Sequence, residues 1–143
     1  MKIAIASDHA GYALKTVLRD YLKSKGYEVY DFGASSCESV DYPDYAHPLA
    51  AAMSENRFDF GVLVCHSGNG VNMVANRYHG VRSAICWNLE TARLARAHNN
   101  ACICSLPAHF IDEKQAKEIL NLFLSTDFEG GRHQRRTDKI DRR

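Results

Sequence analysis

A chain of 143 residues with 45% hydrophobic content has the size of one compact domain and can bury a core without disulfides or a structural metal. Its formal net charge of +1 excludes a chain-wide field for nucleic acid or an anionic membrane, and no apolar run approaches the length of a membrane span. Five cysteines are an odd count without a C-x-x-C pair, so the reading is a soluble cytoplasmic protein with free thiols, one domain over residues 1–143.

Short runs rich in Ile and Val alternate with segments of helical period, the pattern of an α/β domain with a mainly parallel sheet. The first strand spans Ile3 to Ser7. Leu14, Val17, Leu18, Tyr21 and Leu22 then recur at helical spacing, and Gly26 ends that helix. A second strand from Tyr27 to Phe32 leads into Gly33 to Pro43, longer than an ordinary strand-to-helix loop and a candidate lid or binding loop. The next helix tolerates Pro48 only in its first turn. Strands from Phe60 to Cys65, Val81 to Cys86 and Ala101 to Ser105 are nearly continuous in apolar or small residues, as doubly covered strands are. Asn88 is the candidate N-cap of the fourth helix, and Ala116, Ile119, Leu120, Phe123 and Leu124 form the buried stripe of the fifth. After Ser125 the chain becomes a polar, Arg-rich tail, a basic end running over 125–143.

In open parallel sheets ligands bind beyond the carboxyl ends of the strands. Here those ends carry Asp8-His9, the loop through Asp41-Tyr42, and Cys65-His66-Ser67-Gly68-Asn69-Gly70. The last segment joins a strand to a helix through a small Gly-rich turn, which presents backbone N–H groups to an anion. It is neither a dinucleotide fingerprint nor a P-loop, and Val71 stands where a low-molecular-weight tyrosine phosphatase loop requires Arg.

A free cysteine at the end of a buried strand ordinarily serves as a small hydrophobe. Cys65 differs by its place before a helix N-terminus, which lowers a thiol's pKa and suits it to act as base or nucleophile; Cys37, Cys86, Cys102 and Cys104 lack that combination and read as structural. Asp8-His9 is either a solvated loop pair or a pair that orients and protonates a sugar oxygen. His98-Asn99 follows the fourth helix, where a His also has an electrostatic reason to stand near the C-terminus. The His and Cys spacings match no common zinc pattern. In the tail, Arg132 and Arg136 are four residues apart, so a helical tail places both guanidinium groups on one face as a phosphate fork.

Taken together, Ser7-Asp8-His9-Ala10-Gly11, Asp41-Tyr42-Pro43, the Cys65 to Gly70 turn, Ala75-Asn76, His98-Asn99 and Gly130-Gly131-Arg132-His133-Gln134 with Arg136 resemble the type B ribose-5-phosphate isomerases and the related galactose-6-phosphate isomerase subunits over nearly the full length. The resemblance implies a three-layer α/β/α sandwich with a five-stranded parallel Rossmann-like sheet, forming a homodimer or tetramer whose sites take residues from both subunits. It implies an enzyme interconverting D-ribose 5-phosphate and D-ribulose 5-phosphate, with a six-carbon sugar phosphate as the alternative substrate. It also implies roles: Cys65 as the base between C2 and C1, and Ser67 with the N–H groups of Gly68, Asn69 and Gly70 holding the enediolate. Asp8 and His98 open the sugar ring, Tyr42 and Asn99 contact the sugar, and His9, Arg132 and Arg136 bind phosphate. Three positions depart from the pattern. His66 stands where cysteine-type members have Gly, Val71 where members of another type carry a Glu base, and His109 where an Arg commonly helps bind phosphate.

An enediolate needs only a base and anion stabilisation, so no cofactor or metal is expected. Nor is a membrane or nucleic-acid partner. A non-catalytic phosphate-sensing module is the reading from another class, but a receiver needs a phosphorylatable Asp where this chain has Cys65-His66.

Overall fold

Five consecutive buried residues after Lys2 require a strand covered on both faces, and β1 (Lys2–Ser7) is such a strand. The computed structural model describes residues 1–141. After β1 come α1 (Tyr12–Ser24), β2 (Glu28–Asp31), α2 (Tyr42–Ser54), β3 (Phe60–Cys65), α3 (Asn69–Ala75), β4 (Ser83–Ile85), α4 (Leu89–Ala97), β5 (Ile103–Pro107), α5 (Glu113–Ser125) and α6 (Arg132–Thr137). The five strands are all parallel, in the order β2-β1-β3-β5-β4. The three-layer sandwich implied by the resemblance is the observed fold.

Alternation along the strands builds two cores. Ile3, Ile5, Val62 and Val64 pack with Leu18, Leu120 and other residues of α1, α4 and α5 on one face. Ala4, Ala6 and Leu63 pack with Leu49, Val71 and other residues of α2 and α3 on the other. The small residues of β1 face α2, which carries its own run of buried alanines, so helix and sheet approach closely there. The chain thus leaves β1 to one face through α1 and leaves the neighbouring β3 to the opposite face through α3. A crevice opens where adjacent connections diverge in this way.

Several boundaries differ from the sequence expectation. Pro48 is the seventh residue of α2, because the helix starts at Tyr42 with Pro43 in its first turn and Asp41 as its N-cap. The cost is one hydrogen bond inside the helix, that to the carbonyl of Asp44. The strand expected from Val81 to Cys86 pairs only over Ser83–Ile85 and is half-buried, since it is a sheet edge with β5 as its single neighbour. β5 starts later and extends to Pro107, which lacks an N–H and sits at the last ladder position, opposite Cys65. Leu124 is only partly buried at the edge of the α5 stripe. The Arg-rich tail is not wholly solvated: it contains α6, with His133 and Thr137 buried. Arg142 and Arg143, the end of that tail, lie outside the described residues. No helix among the described residues is long and apolar enough to cross a membrane.

Phe123 is fully buried and meets the Phe60 ring edge-on at 5.9 Å between centroids. Truncating it to Ala should cost about 3–5 kcal/mol of stability, as large-to-small changes of a buried Phe do. Urea denaturation of Phe123→Ala against the parent protein checks this.

Candidate active site

The pairing of β1 with β3 brings Ser7 opposite Val64, so Asp8 and Cys65 follow side by side at the carboxyl edge. The Asp8 N–H donates to the Val64 carbonyl at 3.3 Å, and its Oδ1 accepts the Gly11 N–H at 3.0 Å, closing the turn into α1. Gly11 is required there, because a Cβ would stand 2.4 Å from the Val64 carbonyl oxygen. His9 reaches across to the long connection: its Nδ1 lies 3.1 Å from the Val40 nitrogen and 3.2 Å from the Val40 carbonyl oxygen, so the ring accepts from the one or donates to the other according to its tautomer.

Cys65 ends β3 with 4% of its surface exposed, and its Sγ accepts the Gly68 N–H at 3.2 Å. Ser67 Oγ accepts the Asn69 N–H at 3.2 Å. Gly68 adopts φ +76, the left-handed conformation that lets the turn fold back under Pro107. The next N–H in the first turn of α3, that of Gly70, has no intrahelical partner and is available to an anion. The Tyr42 ring lies directly on Gly70, where a Cβ would meet it at 2.7 Å. Asp8, His9, Tyr42 and the turn from Cys65 to Gly70 therefore gather on one edge, as the sequence predicted.

Beside this group lies a largely apolar cavity of about 350 Å³, lined by Ser67, Asn69, Ile85, Trp87, Pro107 and Phe110. Trp87 and Phe110, 57% and 67% exposed, form its rim. The sequence reading missed both, because an aromatic residue just after a strand carries no pattern that tells a rim from a core. His66 and His109, two of the three departures from the family pattern, stack on one another with centroids 4.3 Å apart and planes 16° from parallel. Burial pushes the Cys102 and Cys104 thiols above their usual range, with the neighbouring Cys86 adding to it for Cys104, in keeping with their structural reading.

The other predicted residues stand elsewhere. α4 leaves the carboxyl end of β4 and returns to the amino end of β5, so its C-cap His98 and the following Asn99 lie at the opposite edge of the sheet. A strand of six residues separates the two edges by roughly 17 Å at about 3.3 Å per residue. Arg82 donates to the carbonyls of Asn99 and Asn100 and so fixes this turn. The Glu129 N–H donates to the Ala97 carbonyl at 3.0 Å, which carries α6 to the same edge. Arg132 and Arg136 are exposed one turn apart on α6. The sequence reading put Cys65 and His98 in one catalytic set; within one copy of the chain they are divided, because helix direction in a parallel sheet sends the two loops to opposite edges.

At this second edge His98 and His133 stack with centroids 4.1 Å apart and planes 12° from parallel. Glu129 Oε2 lies 3.7 Å from His98 Nε2 and 3.5 Å from His133 Nε2. Their ligand atoms fall within 4.8 Å of one another, a grouping that sequence spacing did not reveal. Lone pairs in the planes of near-parallel rings do not converge on one point, so this geometry favours stacking over a shared ion. Burial, then the neighbouring His98 and Arg132, hold the His133 pKa below the ordinary imidazole value.

Residues 3–140 match the family model described as Ribose/Galactose Isomerase. Ribose-5-phosphate isomerase B of Escherichia coli is 37% identical over 97% of this chain and 93% of its own length. The crystal structure of a ribose 5-phosphate isomerase from Thermotoga maritima superposes with a TM-score of 0.96 at 53% identity, covering 98% of this chain and 97% of that one. Ribose-5-phosphate isomerase B from Mycoplasma genitalium with bound ribulose-5-phosphate gives a TM-score of 0.95 at 43% identity, covering 99% and 94%.

The lowered His133 pKa has a signed consequence for stability. A folded-state pKa below the unfolded value stabilises the fold at pH above the ordinary imidazole value of about 6.5, and this contribution is lost as pH falls through the folded value. Denaturation between pH 7.5 and pH 5 should show falling stability, and His133→Gln should flatten the slope. An unchanged slope in that variant would assign the titration to another group.

Proposed function

The chain belongs to the ribose/galactose isomerase family, and on that premise we propose that it interconverts D-ribose 5-phosphate and D-ribulose 5-phosphate through an enediolate, with Cys65 as the base. The observation that carries this reading is the thiol at the end of β3, seated on the Gly68 N–H beside the Gly70 N–H of the α3 first turn. Deprotonated, Cys65 takes the proton from C2 of the open aldose as the C1 carbonyl electrons move onto O1; a proton then passes from the C2 hydroxyl to O1, the C2 oxygen re-forms a carbonyl, and Cys65 delivers its proton to C1 to give the ketose. Ser67 and the N–H groups through Gly70 stabilise the oxyanion as charge develops on it. Asp8, whose carboxylate is steadied by Gly11, exchanges protons with the ring oxygen and hydroxyl during opening. His9 offers Nε2–H to the phosphate, and Tyr42 contacts the sugar. The base needs no metal or cofactor.

His98, Asn99, Arg132 and Arg136 enter the same reaction from a second copy of the chain. The division of the residues between two sheet edges supports this, and so do Trp87 and Phe110, exposed beside the cavity at the carboxyl edge. In the dimer each carboxyl edge receives the partner's His98 for ring opening, the partner's Asn99 for the sugar, and the partner's Arg132 and Arg136 for phosphate. The protein works as a single-domain, cytoplasmic homodimer, or as a tetramer built from it.

Cys65→Ala should lower the isomerisation rate by at least about 10²-fold, the low end for a positioned base, with folding and substrate binding largely kept. Cys65→Ser should also be impaired, and Cys86→Ala controls for packing loss at a strand end. Exchange of the C2 hydrogen with solvent is the direct readout; near-normal exchange in Cys65→Ala would make another residue the base, His66 first. Turnover of a six-carbon sugar phosphate alone would overturn the substrate choice, and binding without isomerisation would reduce the protein to a phosphate-binding module.

Shared sites make a second prediction. Cys65→Ala and His98→Ala should each be nearly inactive, yet an equal mixture after subunit exchange should regain up to about a quarter of the parent activity, since half the dimers are mixed and each holds one intact site. No recovery, despite exchange verified by mass spectrometry, would place each site within one subunit.

A further inference from the structure

Beneath the carboxyl edge sits a cation that the chemistry above does not use. Lys15, in the first turn of α1, is 0% exposed. Its Nζ lies 2.8 Å from Asp31 Oδ1, donates to the Ala34 carbonyl, and stands 5.3 Å from the centroid of the Tyr12 ring. Three N–H bonds thus have a carboxylate, a carbonyl and an aromatic face to meet, which is the full capacity of an ammonium group.

The two oxygen partners bracket the start of one segment, the connection 32–41 between β2 and α2: Asp31 is the last residue of β2 and Ala34 lies in the connection. Asp31 Oδ1 also accepts the Gly33 N–H at 2.8 Å. The Ser7 N–H donates to the Gly33 carbonyl at 2.7 Å and the Ala34 N–H to the Ser7 carbonyl at 2.8 Å, so the connection is tied to the residue that precedes Asp8. Its far end is held where the Val40 backbone meets His9 Nδ1, and Asp41 then stands at the N-cap position of the helix that lays Tyr42 on Gly70. Lys15 secures one end of a segment whose other end sets two groups that meet substrate.

A buried ion pair is weak ground for stability, since well-packed apolar residues of similar volume often serve as well or better. What an apolar residue cannot do is bind a carboxylate and a chosen carbonyl at the same point. We propose that Lys15 is a positioning residue for the reaction: by holding Asp31 and Ala34 it fixes the connection 32–41, and through it the placement of His9 and Tyr42 against the sugar phosphate. The last clause rests on the substrate roles proposed above; the anchoring itself does not.

The test is Lys15→Met, with Asp31→Asn as a second variant that leaves the lysine in place. In substrate-free protein, hydrogen–deuterium exchange of 33–41 should quicken at least about tenfold in Lys15→Met while β3 and α5 keep their protection. KM for ribose 5-phosphate should rise at least about tenfold with kcat within roughly threefold, the signature of lost binding alignment rather than lost chemistry. Asp31→Asn should show both effects in weaker form. Unchanged exchange in 33–41 overturns the proposal, and so does faster exchange spread over the whole chain, which would mark a general core role. If Lys15→Met does not fold, the same two readouts on Asp31→Asn decide it. A parent protein that does not act on ribose 5-phosphate would sink the functional reading, while the exchange measurement still decides the anchoring.

Discussion

The parallel pairing of β1 with β3 is the constraint from which the site follows. With Ser7 opposite Val64, the next residue of each strand leaves the ladder at the same height, and those residues are Asp8 and Cys65. Both strands are buried on two faces, so neither has a side position at which a polar group can reach water. Reactive groups can stand only where the strands end. Because α1 and α3 depart to opposite faces, the two ends are left with an open crevice between them rather than a covering helix.

The same directionality divides the functional residues. Every helix that returns from the carboxyl edge delivers its C-terminus to the amino edge, which is where α4 leaves His98 and α5 leaves the segment that becomes α6. The carboxyl edge holds Cys65, Asp8, His9 and backbone donors; the amino edge holds His98, His133, Glu129 and the Arg132 and Arg136 pair.

The electrostatic environments sort the ionisable groups by what they can do. Burial pushes the Cys102 and Cys104 thiols up and leaves them as packing, whereas Cys65 has a backbone donor on its sulfur. Burial alone would raise the Asp31 carboxyl, but the bonds from Lys15 and the Gly33 N–H, with the Lys15 charge and Arg19, hold it below its usual range. It remains an anion able to grip the base of the connection 32–41. The stacked His98 and His133 share one carboxylate, Glu129.

Much of this was legible in the residues themselves. Periodicity placed β1 and β3 to within a residue, because a doubly buried strand admits few polar residues and its limits show as a change in composition; the turn from Cys65 to Gly70 showed itself by its small residues after such a strand. Local pattern failed where neighbours decide: β4 is short because only β5 pairs with it, Pro48 sits mid-helix because α2 already starts at Tyr42-Pro43, and α6 forms in a tail that composition reads as solvated because His133 docks on His98. Lys15 was invisible, since nothing in a helical stripe distinguishes a lysine that reaches solvent from one whose partners, Asp31 and Ala34, are 16 and 19 residues away. The sequence by itself determined the strands, the reactive turn and the residue types that chemistry requires, all of which depend on neighbours along the chain. Only the tertiary structure decided which edge each residue occupies and which groups meet there, because strand order and helix direction set distances that no spacing in the sequence encodes.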